Sequence, residues 1–273
     1  MTASGGPQET GREVFPPPSF NAPVGIAGWS IFILRLVFDA RVGSVWRAAR
    51  RELPLWRGLV LDVGCGDGPW KWLLHPAAIY IGLDVPRAAS AFGYARGRGE
   101  QVTYDGRHFP FADARFSHLL CTEVLEHVEE PPSFLRECWR VTTEGGRCFF
   151  SVPFAARYHY APFDYWRFTP AALQKLFAEA GWSDIRILAL GTDVTVAAHK
   201  ANALILKLFL GARRSRRNLI VWVAALLLFP VFILLTALQL ASLVGRWGSD
   251  YDPVGYIVLA RRPVTQTRTL PEE

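Results

Sequence analysis

Lysine is nearly absent from this chain: Lys71, Lys175, Lys200 and Lys207 are the only four in 273 residues. Arginine therefore carries almost all of a formal net charge of +6. That balance suits anionic headgroups, phosphorylated substrates or nucleic acid, and alone it selects none of them. Cysteine is scarce too. Cys65, Cys121, Cys138 and Cys148 form no CxxC pair, and no histidine stands at zinc-finger distance, so no metal site is expected. Three of these thiols sit in or beside apolar runs, as reduced and buried cysteines of a cytosolic domain do. The first 25 residues lack an apolar leader core and are rich in Pro, Gly, Ser and Thr, which reads as a flexible tail. Charge itself is missing from Asn218 to Gly245, a run of 28 residues bordered by Arg213, Arg214, Arg216, Arg217 and Arg246.

What is present is an alternation. Residues 28–51 carry apolar side chains at helical spacing with arginines toward the end, which predicts an amphipathic helix broken near Gly43. Strands are expected at 59–63, 80–85, 101–104, 116–122, 146–152, 184–190 and 256–260. Between them, helices are expected from Pro69, over 132–141, and over 170–180 with Gly181 as the stop. Such an order predicts a parallel sheet covered by helices on both faces.

The first strand runs into "LVLDVGCGDG", residues 59–68, where Gly64, Gly66 and Gly68 fall at every second position. Three glycines in five residues mark a backbone that must approach a ligand closely. A dinucleotide fingerprint would need its third glycine at position 69, which is proline. The pattern Asp-x-Gly-x-Gly-x-Gly instead resembles motif I of class I S-adenosylmethionine (SAM)-dependent methyltransferases. Further motifs resemble the same family in the same order: "YIGLDV" ending at Asp84, "VTYDGRHFPFADARFSHLLCTEVLEHV" and "VTTEGGRCFFSVPF". The second of these resembles the type 11 methyltransferases. The resemblance covers roughly 55–190 and the final strand.

It implies a Rossmann-like α/β fold with seven strands, and SAM as methyl donor. The implied cofactor residues are Asp62, Gly64, Cys65, Gly66, Gly68, Asp84, Val85, Asp105, Gly106, Thr122 and Glu123. Within that set Asp84 would meet the ribose hydroxyls, Asp105 the adenine amino group, and Thr122 and Glu123 the junction with the acceptor. Such a ligand needs backbone contact, acceptors for its donors and a stacking surface, with neither a diphosphate cradle nor a metal.

Two histidines are candidates for acid–base work at the acceptor. His127, in "VLEHV", reads as a backbone-bonded histidine beside the cofactor. His159 lies in "RYHYAPFDYWRFTP", a dense polar and aromatic loop that resembles a segment of type 11 proteins found among sugar and polysaccharide genes. His159 and Asp164 are the catalytic candidates, with Arg167 reading either as an anion contact or as the partner of Asp164. Trp166 and Phe168 fit packing or a substrate platform equally.

The uncharged run would make a helix of about 42 Å, longer than the ~30 Å hydrocarbon core of a bilayer. The last strand must rejoin the sheet, so an odd number of crossings is excluded. Three arrangements remain open: two spans at 195–210 and 218–245, a hairpin broken near Pro230, or helices lying in the interface. A soluble helical lid is the alternative.

The expected organisation is a tail (1–25), a helical extension (26–54), the methyltransferase domain (55–193 and 247–263), an apolar, membrane-associated helical insertion (194–246) and a second tail (264–273). The expected reaction is methyl transfer to oxygen of a lipid-linked or glycan-type acceptor, on the cytoplasmic side of the membrane with a monotopic or hairpin anchor. A quinone-like lipid acceptor and a catalytically silent membrane scaffold are the alternatives. Nucleic acid is not expected as a partner, since "CTEV" after the fourth strand is unlike the Asn/Asp-Pro-Pro-Tyr/Phe motif of those enzymes. A homodimer stays open.

Overall fold

The computed structural model describes residues 22–86, 101–214 and 219–265. Of the tails expected at 1–25 and 264–273, residues 1–21 and 266–273 lie outside the described residues, as do Arg216 and Arg217.

Strands β1 (Gly58–Val63), β2 (Ala78–Asp84), β3 (Gln101–Thr103), β4 (Phe116–Thr122), β5 (Thr142–Pro153), β6 (Ser183–Leu190) and β7 (Gly255–Arg261) form one sheet in the order β3-β2-β1-β4-β5-β7-β6. All neighbours are parallel except β7, which runs antiparallel to both β5 and β6. The wholly parallel sheet expected from the alternation is thus corrected at its last strand. Central strands are apolar on both faces because both are covered. Leu61, Leu119, Phe150 and Val258 face one core, while Val60, Leu120, Phe149 and Ile257 face the other. Each such fully buried side chain contributes roughly 1.5–3 kcal/mol relative to exposure.

One face is covered by α3 (Pro131–Val141) and α4 (Pro170–Glu179) through Phe134, Leu135, Leu173 and Phe177. Thr169 starts α4 by accepting the Ala172 N–H at 3.2 Å, and Gly181 at φ +96° follows its end. On the other face lies α2 (Ala40–Glu52), which buries Val45 and Ala49 and turns Arg50 and Arg51 outward. The break before it is at Asp39 rather than near Gly43. Asp39 Oδ1 accepts the N–H groups of Arg41 and Val42 at 3.0 and 3.2 Å, which ends α1 (Gly25–Phe38) and starts α2. Gly43 instead lets the helices meet, since a Cβ there would stand 2.7 Å from the Leu36 carbonyl oxygen. The helix expected from Pro69 is only a single 3₁₀ turn, Lys71–Leu73.

Two long helices, α5 (Asp193–Arg214) and α6 (Leu219–Gly245), stand between β6 and β7. They pair antiparallel: Thr195 Oγ1 lies 2.8 Å from Ser242 Oγ, the Asn202 amide 3.1 Å from the Thr236 hydroxyl, and Phe209 packs on Phe229 and Phe232. The helix α6 runs through Pro230 without ending, so the hairpin break expected near that proline is not there. One missing ladder bond does not end a helix that long. Gln239 Nε2 donates to the Val37 carbonyl at 2.9 Å and Phe38 stacks on Phe232, which attaches α1 to the same body.

Candidate active site

The carboxyl ends of β1, β2 and β4 open into a cavity of about 880 Å³. Its first wall is the glycine turn. Gly64, Gly66 and Gly68 hold φ of +68°, +48° and +66°, left-handed conformations that favour glycine. A Cβ on Gly64 would also collide with Val124. Asp84 ends β2 in the same wall. Its Oδ2 accepts the Gly66 N–H at 2.9 Å and its Oδ1 the Val85 N–H at 2.8 Å. Burial raises this carboxyl above its ordinary range, and the two backbone donors pull against that shift.

Cys65, Val85, Asp105, Gly106, Thr122 and Glu123 line the cavity as well. Asp105 is an exposed Asx turn that accepts from Arg107 and His108 N–H, which hold it below the usual carboxylate range. Two members of the expected cofactor set stand back from the wall. Asp62 is 2% exposed and accepts from Tyr80 Oη at 2.8 Å, while a Cβ on Gly68 would approach that same Tyr80 hydroxyl. Burial pushes the Asp62 carboxyl up to about 7. These two residues shape the turn from behind.

The opposite wall is built by the turn after β4 and the loop after β5. His159 is 4% exposed, and its Nδ1 lies 3.0 Å from Asp164 Oδ2 and 3.0 Å from the Arg157 carbonyl. Burial pushes its pKa down to about 4, so the ring is neutral near pH 7. Asp164 lies behind His159 and is held by Arg167 at 2.6 and 2.8 Å. Burial would raise Asp164, but Arg167, the His159 N–H and the His159 ring outweigh it and keep it a carboxylate. Arg167 is therefore the partner of Asp164. Trp166 donates to the Val128 carbonyl and Phe168 is buried, so both serve packing.

Sequence reasoning passed over Arg41 and Glu126. Arg41 comes from α2, and its guanidinium reaches Glu123 Oε2 at 3.2 Å. Glu126 is fully buried, and burial raises its carboxyl well above the ordinary value with Glu123 adding to the shift. His127 Nδ1 lies 2.7 Å from the Phe163 carbonyl, the backbone contact expected for it, and its ring meets that of His159 edge-on at 4.9 Å. Only the "E-x-x-E-H" spacing after β4, which puts Glu123, Glu126 and His127 on one tight turn, could have signalled this cluster.

Residues 61–150 match the family model described as a methyltransferase domain (Methyltransf_11). A ubiquinone biosynthesis O-methyltransferase of Pseudomonas fluorescens (strain SBW25) is 34% identical over 101 residues, 34% of this chain and 43% of that protein. An uncharacterized methyltransferase of Mycobacterium sp. (strain JLS) is 36% identical over 109 residues, covering 39% of this chain and 43% of its own length. The chain thus spans less than half the length of these curated relatives. Among solved structures, a chain of the complex between the Haloferax volcanii Trm112 methyltransferase activator and a methyltransferase superposes with a TM-score of 0.52. It is 16% identical and covers 86% of this chain and 95% of that one, a likeness of fold. Residues 61–150, with the glycine turn and the acid at the end of β2, thus form a methyltransferase domain, set in a sheet with the class I SAM-dependent methyltransferase fold.

Proposed function

We propose that the protein transfers a methyl group from SAM to an oxygen of a lipid-linked or glycan-type acceptor at a membrane surface. The observation that carries this reading is the one cavity that Gly64, Gly66, Asp84, Asp105, Glu123 and His159 line together. The cradle fits the donor: a Cβ-free turn at Gly64 for close approach, and the Asp84 and Asp105 carboxylates for hydroxyl and amino donors. Bound there, SAM would supply a methyl group already activated by its sulfonium. The chain then has to orient the acceptor and remove its proton. His159 is neutral and oriented by Asp164, so its other nitrogen offers a lone pair to the acceptor hydroxyl. The new O–CH₃ bond forms as the methyl–sulfur bond breaks, and the hydroxyl proton passes to His159, whose charged form Asp164 favours. His159→Ala and Asp164→Asn should lower turnover at least 100-fold with SAM affinity within threefold of wild type. Wild-type turnover of the acceptor in both variants would refute the role.

The membrane part rests on an inverted burial pattern. In α5 and α6 five of the buried side chains are polar, Thr195, Asn202, Thr236, Gln239 and Ser242, beside the apolar Val196, Ala198 and Ile205. Outward stand Leu204, Leu226 and Leu234, with 62, 73 and 69% exposed. The Trp222–Gly245 stretch is long and apolar enough, by length and composition, to cross a membrane. Water would reward the reverse arrangement, whereas lipid accepts apolar exteriors and favours polar pairing inside. Arg246 at the end of α6 fits the anionic headgroups of the cytoplasmic leaflet. Leu226→Glu with Leu234→Glu should abolish flotation with anionic liposomes, at about 2–3 kcal/mol per charge placed at depth. If the double variant floats like wild type, the soluble-lid reading stands instead.

The named function of the Pseudomonas relatives favours a second reading, a quinone-like lipid as acceptor. Assay of a polyprenylated catechol beside a lipid-linked sugar separates the two.

A further inference from the structure

One buried carboxylate behind the acceptor wall has no ion pair with an arginine or lysine among the described residues. Glu123 has Arg41 at 3.2 Å and Asp164 has Arg167 at 2.6 Å. Glu126, 0% exposed, has neither oxygen hydrogen-bonded to another described residue. An unpartnered buried carboxylate is costly, so such groups are protonated, paired or bound to metal. Around it stand two imidazoles, and one donor atom each from Glu126, His127 and His159 lie within 4.8 Å of one another. His127 Nε2 is 3.6 Å from Glu126 Oε1.

Both rings are held from behind. His127 Nδ1 is against the Phe163 carbonyl, and His159 Nδ1 is against the Asp164 carboxylate and the Arg157 carbonyl. Each ring therefore carries its N–H on Nδ1 and its lone pair on Nε2. Outer acceptors that fix the tautomer in this way are what metal-binding histidines have. We infer that Glu126, His127 and His159 form a site for one divalent first-row cation of the zinc or ferrous class, ligated by two imidazoles and one carboxylate. Tetrahedral bonds of about 2.0–2.1 Å put donor atoms about 3.3 Å apart, so the observed cluster needs to contract by at most about 1.5 Å. Arg41 opposes a cation here; its charge is shared among Glu123, Asp39 and Glu126, with the ion pair made to Glu123. Burial keeps both histidines below their ordinary pKa, as ligands require.

The inference replaces the proton-accepting role of His159 given above with metal ligation, and rests on the acceptor site for its consequence. The His159 lone pair would bind the ion in place of a proton. The ion would ligate the acceptor hydroxyl and lower its pKa, so that the proton leaves to water as the oxygen takes the methyl group.

The test uses the full chain in detergent, stripped with chelator and titrated with Co²⁺, read by ligand-field absorption and by elemental analysis. One Co²⁺ per chain is expected, displaced by Zn²⁺. Glu126→Gln, which keeps shape and removes charge, and His159→Ala should each weaken binding at least 30-fold. Asp164→Asn, acting through His159, should weaken it about 10- to 100-fold. His75→Ala, outside the cluster, should change nothing. SAM calorimetry on the same samples reports folding and the cofactor site separately. Absence of stoichiometric Co²⁺ in wild type, or full retention in Glu126→Gln, would overturn the site and leave Glu126 a protonated buried acid.

Discussion

Asp84 bears two burdens, and a single substitution separates them. Its two oxygens cap the N–H groups of Gly66 and Val85 while its charge faces the cavity where ribose hydroxyls are expected. In Asp84→Asn the amide oxygen can accept from one of the two N–H groups, and the NH₂ is turned toward the other. One buried donor is then unsatisfied, a loss of about 1–3 kcal/mol. For a domain of this size that corresponds to a fall in Tm of about 2–12 °C. The lost charge-assisted bonds to hydroxyl donors weaken SAM by a further 1.5–3 kcal/mol, about 10- to 150-fold. Thermal melts and calorimetry on the same sample give the two numbers. Asp62→Asn is the control: it keeps the Tyr80 contact and removes a carboxyl that burial disfavours, so stability should hold or rise above pH 7 with SAM affinity nearly unchanged. Undiminished SAM affinity in Asp84→Asn would refute the assignment, whatever its Tm.

Gly64→Ala should lose at least 1–2 kcal/mol of stability by urea unfolding, since it adds both left-handed strain and a collision with Val124. His159, depressed to about 4 in the folded chain against about 6.5 unfolded, binds its proton more readily when unfolded. Its contribution is therefore complete above pH 6.5 and lost as pH falls toward 4, by at most about 3 kcal/mol. Asp62 acts oppositely over the same window, so the slope is read as the difference between wild type and His159→Gln; equal slopes would contradict the burial argument. Arg41→Ala should lower turnover more than SAM affinity and cost about 1 kcal/mol or less of stability, with partial rescue by lysine.

The parts legible in the sequence are those where chemistry dictates residue type. A backbone held at positive φ three times in five residues leaves little choice but glycine, so the turn at 64–68 could be read directly. The centres of β1, β4 and β5 are buried on both faces and carry short apolar runs, Leu59–Leu61, Leu119–Cys121 and Cys148–Phe150. Strand direction has no such signature, and the antiparallel β7 depends on the length and path of the α5–α6 hairpin. Gly43 was read as a break because local propensity cannot see Leu36 approaching it across the helix pair. Asp39, a capping residue, was the better signal. Arg41 left no local trace at all. Its role depends on a contact with Glu123 that only the packing of α2 on the sheet creates. Asp62 matched its motif and yet faces Tyr80, since the motif fixes the turn and not which acid reaches the ligand.

The helices that expose apolar surface and the wall that would meet the acceptor are joined over a very short stretch of chain. Val37 receives the Gln239 amide from α6, and Phe38 stacks on Phe232 of the same helix. Asp39 then caps α2, and Arg41, in the first turn of that helix, holds Glu123 in the cavity wall. A displacement of α6 by lipid would reach Arg41 through one helix junction whose geometry is fixed by two hydrogen bonds to Asp39. On the membrane reading, an acceptor carried in the bilayer would therefore be presented beside the one wall of the cavity whose ion pair the apolar helices position. The seam between α5 and α6 adds to the same argument: two side-chain hydrogen bonds supplement the packing of Phe209 on Phe229 and Phe232, while the leucines face outward.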